Sequence, residues 1–175
     1  MKRAAVILLA LSFLGASAAW ADEAGQKRAL AFAQKFYDWY GPIALKTTKE
    51  PSSDLAIARR GALFDPPLLR ALKADAEASR KSSGDIVGLD FDPFLYTQDI
   101  EDKYVVGAVT ETDGLYRVDV YPVRKGRREK KPSVVAELKP VKDSFVFTNF
   151  LYGDEGDLIA VLKQLADDRA KPATQ

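Results

Sequence analysis

Residues 103–123 read KYVVGAVTETDGLYRVDVYPV, and their alternation decides the kind of protein this is. Lys103 to Thr110 is a run rich in β-branched residues, which favour strands. Asp113-Gly114 is the pair that a two-residue hairpin turn selects, because that turn needs two left-handed residues in a row. From Leu115 to Val123, Tyr116, Val118 and Val120 fall on one face and Arg117, Asp119 and Tyr121 on the other, the period of a strand with one wet side. The same period returns downstream. Val134, Ala136 and Leu138 oppose Glu137 and Lys139, a turn falls at Lys142-Asp143-Ser144, and FVFTNFLY spans 145–152. The intervening RKGRREKK (124–131), six basic residues in eight, reads as a solvated hairpin tip, with contact to phosphates, lipid headgroups or an acidic partner as the alternative. An antiparallel sheet of about four strands follows, apolar on one face.

Helices flank this meander. In AGQKRALAFAQKFYDWYGP, from Ala24, the side chains Phe32, Phe36, Trp39 and Tyr40 share a helical face, with Gly41-Pro42 as the stop. Asp54 to Leu63 is helix-like. Asp65 caps a second helix that opens on Pro66-Pro67 and buries Leu68, Leu69 and Leu72, and Ser82-Ser83-Gly84 ends it. Asp157 caps a closing helix with a stripe of Leu158, Val161, Leu162 and Leu165. The fold class is therefore α+β: N-terminal helices packed on a curved antiparallel sheet, closed by a C-terminal helix.

The first 21 residues, MKRAAVILLALSFLGASAAWA, have a basic head, an apolar run from Ala4 to Gly15 and an Ala19-Trp20-Ala21 end. This predicts a secretory signal cleaved before Asp22, since the apolar run is short of the ~20 residues a membrane span needs. The expected product is periplasmic or secreted, with a single domain over 22–170, a flexible tail at 171–175 and no stable membrane insertion. The 175-residue chain has 26 basic and 25 acidic residues. Such a balance gives no global attraction to nucleic acid or to an anionic membrane. There is no cysteine and no histidine. An exported chain without cysteine takes its stability from its core. Serine–histidine and cysteine–histidine nucleophile systems are excluded, and ordinary zinc sites with them.

Chemistry, if any, concentrates in LDFDPFLYTQD (89–99), where Asp90, Asp92 and Asp99 alternate with Phe91, Phe94 and Tyr96. The Asp90-x-Asp92 spacing opens a calcium loop, but Pro93 and Phe94 follow and no glycine or terminal glutamate arrives at the required offsets. A catalytic reading needs one carboxylate with a raised pKa in an apolar pocket and another kept ionised. A structural reading has Asp92 extended before Pro93 and accepting from nearby backbone N–H groups. A recognition reading offers Gln98 and Asp99 as exposed donors and acceptors. The residues favour structure first, recognition second and chemistry third. Tyr37 points away from Phe36 and Trp39 and is the expected exposed contact. Asn149 falls in period with Phe145, Phe147 and Leu151 and, if buried, must hydrogen-bond, to the nearby turn backbone or to 89–99.

FYDWY (36–40), GDIVGLDFDPFLYTQD (84–99) and FVFTNFLY (145–152), in this order after a signal, resemble the pattern of a bacterial envelope family. That family is a domain of unknown function, number thirty-eight twenty-eight. The resemblance covers nearly the whole chain beyond the signal. Thr97 stands where the pattern has a smaller residue, and Phe145 where it prefers tryptophan. The resemblance implies a cone similar to the nuclear-transport-factor-two-like and cystatin-like folds, and no catalytic residues to carry over. That architecture hosts enzymes and pure binding modules alike, so it assigns no activity.

The expected function is a binding or accessory module that recognises an envelope protein partner through 89–99 and the adjoining sheet face, with no catalytic residue, metal or cofactor assigned. The alternative is a small-molecule binder or acid–base enzyme using an internal pocket, with Asp90 or Asp92 as base and Tyr40 or Tyr96 as donor. The discriminator is a cavity of a few hundred Å3, the room a ligand requires. Candidate contact residues are Tyr37, Tyr40, Asp90, Asp92, Tyr96, Gln98 and Asp99.

Overall fold

A computed structural model of the chain describes residues 14–46, 50–82, 87–97 and 99–171, with backbone alone over 14–22. Most of the expected signal, the tail beyond Lys171 and Gln98 lie outside the described residues. Four helices flank an antiparallel sheet: α1 (Leu14–Ala44), α2 (Ser52–Arg60), α3 (Pro66–Lys81) and α4 (Leu158–Ala170). The strands are β1 (Lys103–Thr112), β2 (Leu115–Arg124), β3 (Arg127–Arg128), β4 (Val134–Val141) and β5 (Ser144–Leu151). They run in the order β1-β2-β4-β5, with the short β3 paired to β2. The chain is α+β, as the periodicities indicate.

The turns follow from their residues. Asp113 and Gly114 both have positive φ (54° and 76°) and close the β1–β2 hairpin. Lys125 (50°) and Gly126 (75°) do the same inside the expected hairpin tip, so Arg127 and Arg128 fold back on Arg124 and Val123 as β3. Asp65 and Asp157 cap α3 and α4 through bonds from the Leu68 and Ala160 N–H groups, filling donor vacancies that every helix start leaves. Gly41-Pro42 does not stop α1, which continues to Ala44. Proline in a final turn forfeits a single backbone bond.

The core lies between α1 and the inner sheet face, where Val118, Val120, Ala136, Leu138, Phe147 and Phe150 are fully buried. On α1 the buried stripe is Ala29, Ala33, Phe36, Tyr37 and Tyr40, not the expected Phe32, Phe36, Trp39 and Tyr40. At about 100° per residue, the two stripes differ by roughly 60° around the helix. The alanines decide the rotation: without bulk at 29 and 33 the helix approaches the sheet closely, and the larger rings fan out to either side. Phe32 is half-buried against Phe145 and Phe147, and Trp39 lies under Arg60, whose guanidinium carbon is 5.0 Å from the ring centre. Tyr37, expected outside, is therefore inside.

β5 departs from strict alternation. Its pairing with β4 shifts between Glu137 and Leu138, so that Leu138 faces Phe147 and Glu137 faces Asn149. A bulge of this kind inverts the faces beyond it. Phe150 enters the core in place of Leu151. Asn149 is half-buried and accepts from the Phe150 N–H (2.9 Å) and the Ile159 N–H (3.2 Å), and donates to Asp157 (3.0 Å). It ties β5 to the start of α4 rather than to 89–99.

Candidate functional site

The 87–100 segment joins α3 to β1 and is fixed at two points. One is Phe94, fully buried, whose ring sits among Phe36, Tyr40, Phe64 and Phe150 at centroid distances of 5.0 to 5.7 Å. A loop carried into a core brings backbone carbonyls that must be paired. Tyrosines do this: Tyr37 donates to the Phe94 carbonyl (3.0 Å) and Tyr152 to the Pro93 carbonyl (2.9 Å). Burial pushes the Tyr37 and Tyr152 hydroxyls well above the ordinary phenol range, so both remain donors.

Asp92 organises the turn. Its Oδ1 accepts from the N–H groups of Phe94 (3.0 Å) and Leu95 (3.1 Å), the local bonding that aspartate supplies in turns. Its Oδ2 accepts from the Tyr40 hydroxyl (2.6 Å) and the Ser52 hydroxyl (3.0 Å). Its backbone accepts from Tyr96 N–H (2.8 Å) and donates to the Thr97 carbonyl (3.1 Å). Desolvation of the enclosed carboxylate raises its pKa above the usual aspartate value, outweighing the Tyr40, Phe94, Ser52 and Leu95 bonds that lower it. Burial raises the Tyr40 hydroxyl well above its ordinary value, and the Asp92 charge adds to this.

The second fixed point is Asp75 on α3. Its carboxylate accepts from the Leu89 N–H (3.0 Å) and from Arg169 of α4 (2.6 Å), and the same guanidinium nitrogen donates to the Val87 carbonyl (2.6 Å). The side chains are 5% and 23% exposed respectively. Gly88 lies against this pair: a Cβ there would come within 2.0 Å of Ser79 Oγ and 2.9 Å of Asp75 Oδ2. Sequence reasoning singled out neither Asp75 nor Ser52. A signal for Asp75 was present, since it continues the Leu68, Leu72 stripe and a charge in a buried stripe demands a partner.

Between α2, α3 and this loop lies an open cleft of about 720 Å3. Its apolar wall includes Ile57, Leu72 and Phe91, and its polar wall includes Asp90, Asp92 and Thr97. Asp54, also lining it, is paired with Arg80 at 2.7 Å. The expected contact residues divide accordingly. Asp90 and Asp92 line the cleft. Tyr40 stands behind Asp92 with no exposed surface, and Tyr37 is buried on the loop's inner side. Tyr96, with positive φ (51°), turns away from the cleft, stacks on Tyr152 at 4.1 Å and donates to Glu155 (2.6 Å). Asp99 is exposed, and its backbone bonds Thr97 Oγ1.

The Asp92–Tyr40 pair has the residue types of an acid–base couple, and the fold brings them together across 52 positions. The carboxylate oxygens are nonetheless engaged by donors that hold the turn, so a proton leaving a substrate has no vacant lone pair directed at it. The arrangement is a rigid wall with polar groups set at fixed points. Comparison with protein-family models, with curated proteins and with solved structures finds no match for this chain, so the role of the cleft is argued from its own geometry.

Proposed function

We propose that the protein is a ligand-binding module whose site is the cleft between α2, α3 and the 87–100 loop. The observation that carries this reading is a cavity of about 720 Å3 placed where the loop is fixed by Asp92 and Asp75. Sites for small organic molecules occupy about 300–1,000 Å3, mostly apolar with a few placed polar groups. The volume falls within that range, and the lining is more polar than that average, with nine of its eighteen residues polar or charged. It carries more carboxylates than cations, with Asp54, Asp75, Asp90 and Asp92 against Arg80. Arg80 is already paired with Asp54, and Asp75 with Arg169, while the Asp92 carboxylate accepts from the neutral Tyr40, Ser52, Phe94 and Leu95 donors. The chemistry favours a small molecule with an apolar body and hydrogen-bond donors or a positive charge, such as an amine. Binding without turnover fits the saturated Asp92 carboxylate.

Recognition of an envelope protein through 89–99 receives less support. Phe94 is consumed by the core and Phe91 and Tyr96 by Tyr152, so the aromatics that anchor protein interfaces are engaged internally. Export to the periplasm or beyond remains part of the proposal, resting on the N-terminal sequence.

A ligand-observed NMR screen of small amines, alcohols and carboxylates tests the reading. Amines and alcohols are expected to bind and to be lost in Ala76→Trp, which fills the cleft from α3 while leaving Asp92 and Asp75 in the sequence. Binding retained in a folded Ala76→Trp protein, or binding by no class at all, refutes it.

A further inference from the structure

Independently of the cleft, the β2–β3 hairpin carries a cluster of charge whose use is not explained by folding. Six basic side chains lie within Arg124–Lys131. Two are engaged internally: Arg124 pairs with Glu101 and lies 3.9 Å from Glu129, and Arg128 covers the Tyr121 ring at 4.4 Å. Lys125, Arg127, Lys130 and Lys131 are exposed and have no acidic partner among the described residues. The Lys125-Gly126 turn and the Val123–Arg128 and Arg124–Arg127 pairs hold them on a defined tip instead of a loose loop. The tip leaves the sheet at the end opposite the Asp113-Gly114 and Lys142-Asp143 turns, as the pairing of Lys103 with Val123 requires.

We infer that this hairpin tip is a contact surface for the anionic headgroups of a lipid bilayer. The choice among polyanions follows from what the tip lacks. Protein interfaces are depleted in lysine and anchored by buried aromatics, and no free aromatic is present here, because Tyr121 lies beneath Arg128 and donates to Asp119 at 2.9 Å. Single-stranded nucleic acid is held by stacking on exposed rings, which the tip again does not offer. A convex cluster of unpaired cations without an apolar anchor suits a flat, charged surface approached by electrostatics alone. Polybasic segments bind anionic membrane surfaces in this way, reversibly and additively. The contact is peripheral. No described helix is long and apolar enough to cross a membrane.

Vesicle cosedimentation of the full chain provides the test, comparing neutral phosphatidylcholine vesicles with vesicles containing a third phosphatidylglycerol. The apolar N-terminal stretch is present in every variant, so differences between variants isolate the tip. The triple change Lys125→Asn, Lys130→Ser and Lys131→Ser is expected to lower partition onto anionic vesicles on the order of a hundred-fold, at about five-fold per cation. Asparagine at 125 tolerates the left-handed backbone. A control with the same charge loss, Lys73→Ser, Lys139→Ser and Lys142→Asn, is expected to change partition little, and raised salt is expected to abolish the difference between vesicle types. Unaltered circular dichroism establishes that both triple variants fold. Equal binding to the two vesicle types overturns the inference, as does equal loss in the control. Displacement by a single-stranded oligonucleotide at a phosphate concentration below that of the lipid reassigns the tip to nucleic acid and also overturns it.

Discussion

Replacing Asp92 by alanine probes the loop at its organising atom. Four donors lose the carboxylate as acceptor: the Tyr40 and Ser52 hydroxyls and the N–H groups of Phe94 and Leu95. The Tyr40 hydroxyl can donate to Ser52 Oγ, 3.2 Å away, and Ser52 borders the open cleft, where water can accept its proton, so their loss is small. Of the two backbone N–H groups, that of Leu95 keeps its 3.4 Å bond to the Asp92 carbonyl, whereas that of the fully buried Phe94 loses its acceptor. An orphaned buried donor costs about 1–3 kcal/mol, which sets the expected loss for Asp92→Ala at about 1–3 kcal/mol, a sizeable share of the roughly 5–15 kcal/mol of a typical domain. Asp92→Asn keeps an acceptor for both N–H groups and removes the desolvated charge, so it should cost about 1 kcal/mol or less. Urea denaturation of wild type and both variants measures the difference, and hydrogen exchange at Phe94–Thr97 locates it. If Asp92→Ala unfolds within about 0.5 kcal/mol of wild type, or if Asp92→Asn is the worse variant, the assignment of Asp92 as the organiser of the turn is wrong.

Four further outcomes follow. Because burial raises the Asp92 pKa, the folded state holds this proton more tightly than the unfolded chain. Its contribution to stability is therefore present below the ordinary aspartate value and declines as pH rises from there through the raised value. Urea midpoints across that window should show the decline in wild type beyond any seen in Asp92→Asn. Arg169→Met leaves Asp75 buried without its cation and should cost about 3 kcal/mol, partly recovered by adding Asp75→Asn; equal stability of the single and double variants contradicts the pairing. Gly88→Ala should destabilise by about 1–3 kcal/mol through its collision with Ser79, and adding Ser79→Gly should restore much of this in thermal melts. Asn149→Ala removes the acceptor for the Phe150 and Ile159 N–H groups and should lower stability by about 1–3 kcal/mol; an unchanged melting curve would show those bonds to be dispensable.

Much of this molecule was legible because its strands and caps are local. The Asp113-Gly114 turn, the Val118/Val120 and Val134/Ala136/Leu138 alternation and the Asp65 and Asp157 caps each depend on residues within a few positions. Most of the failures are long-range. The large rings of α1 suggest one stripe, whereas Ala29 and Ala33, fully buried, set another where the helix seats on the sheet. The β5 faces followed strict alternation until the bulge opposite Glu137 and Leu138, which the partner strand imposes. Asp92 was read as a turn-former from the proline that follows it, and its N–H bonds are where that reading puts them. Its contacts with Tyr40 and Ser52 arise only when the loop meets α1 and the start of α2, 52 and 40 residues earlier. The RKGRREKK segment reads as a charged hairpin tip, and the short strand β3 within it escapes notice because Lys-Gly is a weaker turn signal than Asp-Gly.

In the proposed function the 87–100 loop is one wall of a ligand site. A titration of the isotope-labelled protein with a small primary amine, followed by backbone amide shifts, addresses it directly. Saturable shifts confined to Ser52–Ile57, Leu72–Arg80 and Leu89–Ile100 are predicted, with the inner residues of β2 and β4 unmoved. Shifts elsewhere on the surface, or none at millimolar amine, would contradict the claim.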